Sequence, residues 1–325
     1  MTILAYRFSA FGDVAMVASV CREFLDQNPH VKLVIVSREN FRDLFAGLPR
    51  LHFKGVDLDT YKGFIGLRKL AKELLIEFQP NQIADLHDVI RTKILNRFYK
   101  SCGFQVSVID KGKEEKEHLT DIWNLDKVPL RSTVERYADV FRNLGQQLTL
   151  SNELQVSVPK TGGIGFAPFA QHFGKMLPLE KSFEVVKILS RRRPIFFFGS
   201  RGEEAEILER WQNEVPNTQN LAGKLTLDQE LDKISQLDLM ISMDSANMHL
   251  ASLVGIRCIS IWGATHHFAG FLGYGQSTED IVHVKDLTCR PCSVFGDKEC
   301  YRGDYACLNE LQVEDVVKTV LKVVE

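Results

Sequence analysis

The apolar positions of this 325-residue chain switch repeatedly between two spacings. Residues 2–6 form a short β-prone run, a loop follows through Asp13, and residues 14–25 place apolar side chains at helical intervals. The succession returns at once. Residues 31–36 are almost unbroken apolar, as in a parallel strand buried on both faces, and 38–47 carry a helical pattern. Helices are predicted at 67–78 and 90–99 around a strand at 82–86, with a further helix at 133–144, while the charge run 111–118 reads as a solvated loop. Pro159 to Gly163 reads Pro-Lys-Thr-Gly-Gly, a breaker cluster that suits a domain boundary. Beyond it the rhythm restarts, with strands predicted at 164–167, 195–199, 237–241 and 258–262 and helices at 182–190, 203–213, 227–235, 246–253 and 313–323. Alternation of this kind predicts two doubly wound, Rossmann-like α/β domains, 1–160 and 161–325, facing each other across a central cleft.

Composition supports a globular chain. Its length exceeds the roughly 250–300 residues at which single cores stop growing, and 45% of it is apolar and 25% charged. No apolar run reaches the roughly 18 residues that cross a bilayer, and the first residues lack the order of a signal peptide, so a cytoplasmic protein is expected. The net charge of −2 argues against a dedicated nucleic-acid binder, yet it is unevenly spread. Residues 1–160 hold 23 Lys+Arg against 20 Asp+Glu, and the remainder 17 against 22. A mildly basic first half suits an anionic acceptor or a membrane surface, although ordinary surface scatter accounts for it better. Cys21, Cys102 and Cys258 lie among apolar residues and read as buried. Cys289, Cys292, Cys300 and Cys307 cluster near the end, where structural zinc, free thiols under a loop and redox chemistry are the alternatives.

Three positions carry candidate chemistry. Asp244-Ser245-Ala246-Asn247-Met248-His249 joins a predicted strand to a predicted helix, so the first helical N–H groups are available to a phosphate, although Asp244-Ser245 reads equally as a helix cap. Lys175 stands in the loop after the first strand of the second half, where an ammonium suits a diphosphate and a plain surface lysine is the alternative. Gly12-Asp13 ends the first strand–loop–helix turn and offers a general base or an acidic cap. Asp57-Leu58-Asp59 matches a metal-binding tripeptide but follows no strong strand and reads as loop acid. Asp85, His87 and Asp88 end a strand and suit acceptor contacts or loop hydrogen bonds better than metal. The glycines at 270, 273 and 275 do not form a dinucleotide fingerprint.

Taken in order, these motifs resemble glycosyltransferase family 9, the ADP-heptose:lipopolysaccharide heptosyltransferases. The resemblance runs from Arg7 and Gly12-Asp13-Val14 through Asp85-Leu86-His87 with Arg91, Lys175 before Pro178, Leu221-Ala222-Gly223-Lys224, Asp244-Ser245 with His249-Leu250-Ala251, and Trp262-Gly263-Ala264-Thr265 to the Cys-rich tail. It implies a GT-B fold with an acceptor on the N-terminal domain and a nucleotide-diphosphate sugar on the C-terminal one. It further implies inversion without a metal, no required cofactor beyond the nucleotide-sugar donor, and a lipid-linked glycan acceptor met at the cytoplasmic face of the inner membrane. By motif position Asp13 is the base and Lys175 neutralises the leaving diphosphate. Asp244, Ser245, Ala246 and Asn247 receive phosphate and sugar, with His249 supporting the turn. Glu203 or Glu204 holds the ribose, Leu225 lies near the nucleobase, and Ser9, Gly12, Asp85, His87 and Arg91 meet the acceptor. The family more often has Asp-Thr-Gly-Pro where this chain has Asp244-Ser245-Ala246-Asn247, and more often an aromatic residue between the lysine and Pro178. A nucleotide-sugar epimerase of the same fold and a non-catalytic nucleotide-sugar-binding protein are the alternatives.

Overall fold

The computed structural model describes residues 1–156 and 158–324. Contacts divide the chain into two compact units, Met1–Lys111 with Thr133–Ser151, and Gly112–Ser132 with Asn152–Glu325. In the first unit the chain runs β1 (Thr2–Tyr6), α1 (Phe11–Gln27), β2 (Lys32–Ser37), β3 (Leu51–Gly55), α2 (Gly63–Phe78), β4 (Gln82–Asp85), α3 (Ile90–Ser101) and β5 (Gln105–Val108). α4 (Lys113–Leu119) belongs to the second unit, and α5 (Thr133–Arg142) returns to the first. The strands pair in parallel in the order β3-β2-β1-β4-β5. β1 is central, which is why Ile3, Leu4, Ala5 and Tyr6 are all buried. Leu67, Leu70 and Leu74 of α2 and Leu95 and Tyr99 of α3 cover one face of this sheet beside Leu4, Tyr6, Val34 and Ile83. α1 packs on α5, with the rings of Phe24 and Phe141 stacked 4.3 Å apart.

The second unit continues with β6 (Ile164–Ala167), α6 (Leu179–Leu189), β7 (Ile195–Phe197), α7 (Glu203–Glu214), β8 (Thr218–Asn220), α8 (Leu227–Ser235), β9 (Leu239–Met243), α9 (Ala246–Leu253), β10 (Cys258–Ile261), β11 (Ile281–Val282), α10 (Ala306–Asn309) and α11 (Val313–Val324). Its parallel order is β11-β10-β9-β6-β7-β8. Val185, Val186 and Leu189 of α6 and Val316 and Val320 of α11 close over Ile164, Phe166, Ile241 and Ile259.

Both sheets reverse their strand order once, between β1 and β4 and between β6 and β9. Parallel α/β sheets gather ligands outside the carboxyl ends of the strands at such reversals.

Several sequence expectations need correction. The charge run 111–118 is not a loop: Lys113–Leu119 is a helix with Glu114 and Glu115 in its first turn and Lys116 and His118 in its last, which complements the helix dipole. The Lys116 ammonium sits 4.3 Å from the centre of the Phe271 ring. The helical pattern at 38–47 is realised as a 3-10 helix, Glu39–Phe45. β9 lies two residues later than predicted, which sets Asp244 directly behind Met243. Cys102 is exposed at the end of α3 rather than buried, because the chain turns there through Gly103.

Candidate functional site

In the first unit the chemistry collects beyond β1 and β4, at the reversal. Asp13 occupies the first turn of α1, whose N-cap, Ala10, offers no side-chain bond. The carboxylate faces inward instead. Its Oδ2 lies 2.7 Å from an Arg7 guanidinium nitrogen, and its Oδ1 accepts a 2.9 Å hydrogen bond from the Tyr137 hydroxyl. Arg7 is buried and donates also to Leu86 O at 2.9 Å. Tyr137 reaches Asp13 from α5, 124 residues away, and no motif in the sequence announces it.

His87 is buried beside this pair. Its Nδ1 accepts a long hydrogen bond from Phe8 N at 3.4 Å, and Nε2 lies 3.4 Å from Ser9 Oγ. Burial first, then the charges of Arg7 and Lys111, hold the imidazole pKa down at about 3, so it is neutral at pH 7. Asp85, fully buried at the end of β4, spends its carboxylate on the loop, accepting from His87 N at 2.8 Å, Asp88 N at 2.9 Å and Asn96 Nδ2 at 2.7 Å. It therefore acts on the loop that carries His87. Ser9 and Gly12 are part-exposed and Arg91 is exposed. Asp57 accepts from Asp59 N and Thr60 Oγ1, an ordinary loop acid.

In the second unit the segments that follow β9, β6, β7 and β8, four neighbours in the sheet, carry Asp244, Lys175, Glu203 with Glu204, and Leu225 in that order. Lys175 ends a 3-10 turn, and its Nζ lies 3.0 Å from Asp244 Oδ2, both side chains largely buried. It is thus no surface lysine. Ser245 holds the N-cap position of α9 without a side-chain capping bond, its hydroxyl lying 3.1 Å from that of Ser242. The helix start beside Asp244 and Lys175 has no side-chain cap, and helix N–H groups in that state receive anions. His249 is buried in the first turns of α9. Glu204 accepts from Ser200 N at 2.6 Å and closes its own loop, whereas Glu203 is exposed.

The tail buttresses this site. Buried Arg290 donates to the carbonyls of Gly263 at 2.8 Å, Trp262 at 3.1 Å, Thr265 at 2.9 Å and Val284 at 3.0 Å. Ala264 N in turn donates to Gly174 O at 2.7 Å, next to Lys175. A Cβ on Gly296 would lie 2.5 Å from Lys175 Cγ, so the tail runs directly along the lysine stem. Among the described residues no group of three or more His, Cys, Asp or Glu side chains can hold a metal. Cys289, Cys292, Cys300 and Cys307 are free thiols, with Cys307 buried and the other three part-exposed. Cys292 and Cys307 pack with Ala264, Leu287, Leu308 and Tyr305, and burial pushes the Cys307 thiol up to about 12.

Three imidazoles lie beside Arg290, with ring centres 4.3 Å apart for His266 and His267 and 5.0 Å for His266 and His283. Burial and the guanidinium lower His266 to about 2 and His267 and His283 to about 4. Their unfolded value is near 6.5, so below that pH the unfolded chain binds more protons and stability falls with pH, the loss from His267 and His283 completing near pH 4. We expect the melting temperature to drop between pH 7 and pH 4.5 and His267→Gln to flatten that slope; an unchanged slope in the variant would contradict the assignment.

Comparison with known proteins places these observations. The family model described as glycosyltransferase family 9 (heptosyltransferase) matches residues 68–301. Lipooligosaccharide heptosyltransferase 2 of Campylobacter jejuni (strain 81116) is 27% identical over 165 residues, 49% of this chain and 50% of that protein, so the chain spans about half the length of the curated relatives it matches. The E. coli ADP-heptose LPS heptosyltransferase II superposes with a TM-score of 0.70 over 99% of this chain and 98% of that one at 18% identity. The glycosyltransferase family 9 structure from Veillonella parvula DSM 2008 gives a TM-score of 0.74 over 99% and 96% at 16% identity. The two α/β units are thus those of the GT-B fold.

Proposed function

Because the chain belongs to glycosyltransferase family 9, we propose that it moves a sugar, heptose by its relatives, from an ADP-linked donor to a hydroxyl of a lipopolysaccharide-core or related lipid-linked glycan. The observation that carries the reading is Lys175 held 3.0 Å from Asp244 beside the uncapped start of α9, at the reversal of its sheet. Departure of a nucleoside diphosphate concentrates negative charge on the leaving phosphate, and an ammonium with fixed N–H donors stabilises it there. Ser245, Ala246 and Asn247 supply those donors, Lys175 supplies the cation, exposed Glu203 meets the ribose, and Leu225 lies by the nucleobase.

On the acceptor side Asp13 takes the hydroxyl proton. The freed oxygen bonds to the anomeric carbon as the carbon–diphosphate bond breaks, its electron pair leaving with the phosphate. Attack opposite the leaving group inverts the centre. Arg7 and Tyr137 fix the carboxylate, and Ser9, Gly12, neutral His87 and Arg91 contact the acceptor. No step calls on a metal. Contact with the cytoplasmic face of a membrane follows from a lipid-linked acceptor.

Incubation with ADP-heptose and a de-heptosylated core acceptor should yield an acceptor heavier by one heptose with inverted anomeric configuration, at a rate indifferent to EDTA. Conversion of the donor in the absence of acceptor would point to an epimerase instead. No melting-temperature rise with any nucleotide sugar would overturn the donor site.

A further inference from the structure

α2 joins β3 to β4 and α3 joins β4 to β5, both stepping the same way along the sheet, so they lie side by side on one face with their N-terminal ends at the edge that carries Asp13 and His87. Their solvent face is unusual. Phe64 is 62% exposed, Ile65 83%, Ile76 77% and Ile90 80%, four large apolar side chains on two adjacent helices. On α2 the positions Phe64, Ile65, Arg68, Lys69, Lys72 and Ile76 fall on one side at helical spacing, all exposed. α3 carries Arg91, Lys93, Arg97 and Lys100 and no acid. On α2 the acids are Glu73 and Glu77; Glu73 accepts from Tyr61 and lies 3.8 Å from Lys69, and Glu77 pairs with Lys54. Lys72, Arg91, Arg97 and Lys100 take no ion partner among the described residues. Scattered exposed apolar residues need no explanation, but apolar tips set among unpaired cations describe a surface that enters a lipid interface.

We propose that the outer face of α2 and α3 docks on an anionic membrane surface, Phe64, Ile65 and Ile90 entering the headgroup–acyl boundary while the surrounding Lys and Arg meet lipid phosphates. Charge complementarity favours this occupant over a second copy of the chain, whose identical face would bring cations against cations. It also favours lipid over nucleic acid, which gives exposed Phe and Ile no apolar phase. Lys and Arg chains lie along apolar surface with their heads in the phosphate layer, so both groups are satisfied together. The inference rests on the proposed function only in that a lipid-linked acceptor would then be met at the edge holding Asp13.

The test is sedimentation of the purified protein with phosphatidylcholine vesicles and with vesicles of 7:3 phosphatidylcholine to phosphatidylglycerol, a composition chosen for its negative charge. The protein should sediment with the anionic vesicles, at least about tenfold less with neutral ones, and less as salt rises. Phe64→Ser/Ile65→Ser and, separately, Lys72→Glu/Arg97→Glu should each lower anionic partitioning about tenfold with unchanged circular dichroism. Both pairs should keep turnover on a delipidated acceptor and lose it on a vesicle-embedded one. Equal partitioning of wild type and both variants would overturn the proposal, as would a self-association in sedimentation velocity that the same substitutions abolish. Vesicle binding without any sugar transfer would leave the surface standing and remove the transferase reading.

Discussion

Asp13→Asn is expected to lower kcat about 10³-fold while the donor affinity stays within about twofold of wild type. The asparagine amide keeps the size of the carboxylate and can accept from Tyr137, but it cannot take a proton from an acceptor hydroxyl. Asp13→Ala should be equally inactive and also less stable, because it strands the buried Arg7 guanidinium that the carboxylate meets at 2.7 Å. Comparing the two by denaturant titration separates loss of the base from loss of the fold. Tyr137→Phe removes one hydrogen bond to the carboxylate and should cost nearer tenfold in kcat with little change in KM for the donor. Turnover by Asp13→Asn near the wild-type rate would remove Asp13 from the mechanism.

Lys175→Ala should act on both binding and chemistry, with kcat down about 10²- to 10³-fold and donor Kd up about tenfold. Two effects combine. The leaving diphosphate loses its cation, and the Asp244 carboxylate, buried and paired with Lys175 at 3.0 Å, is left to repel it. The second effect is separable: Lys175→Ala/Asp244→Asn should recover much of the donor affinity but little of kcat, a coupling that a double-mutant cycle by titration calorimetry and initial rates can read. If the double variant binds donor no better than Lys175→Ala, the pair is structural and the lysine acts elsewhere.

What the sequence made legible follows from burial. β1, β2, β6, β9 and β10 lie inside their sheets and read as apolar runs, so they were predictable, as were most helices between them. β3, β8 and the two-residue β11 stand at the edges of their sheets, and their half-exposed sequences carry no such run. Asp244 to His249 was visible as a strand–helix junction, but whether its helix start was capped depended on the Ser245 side chain, which spacing cannot tell. Lys175 resembled a surface lysine because nothing local says that the tail will cover its stem at Gly296. Tyr137 was invisible for the same reason: its contact with Asp13 is made by the fold. Asp85 had the chemistry of a ligand, and it is the need of the His87 and Asp88 N–H groups for an acceptor that turned it inward.

Arg290 holds the loop at 262–265 by its carbonyls, a feature common to every residue type. The path of that loop is therefore uncoupled from most of its side chains. Gly263 is the exception, since a Cβ there would lie 2.5 Å from Gly174 O. His266 is a second exception, because its buried ring accepts from Phe268 N at 3.2 Å and caps the short 3-10 turn that follows. A side chain at position 263 would press on Gly174, the neighbour of Lys175, and so reach the lysine through the backbone alone.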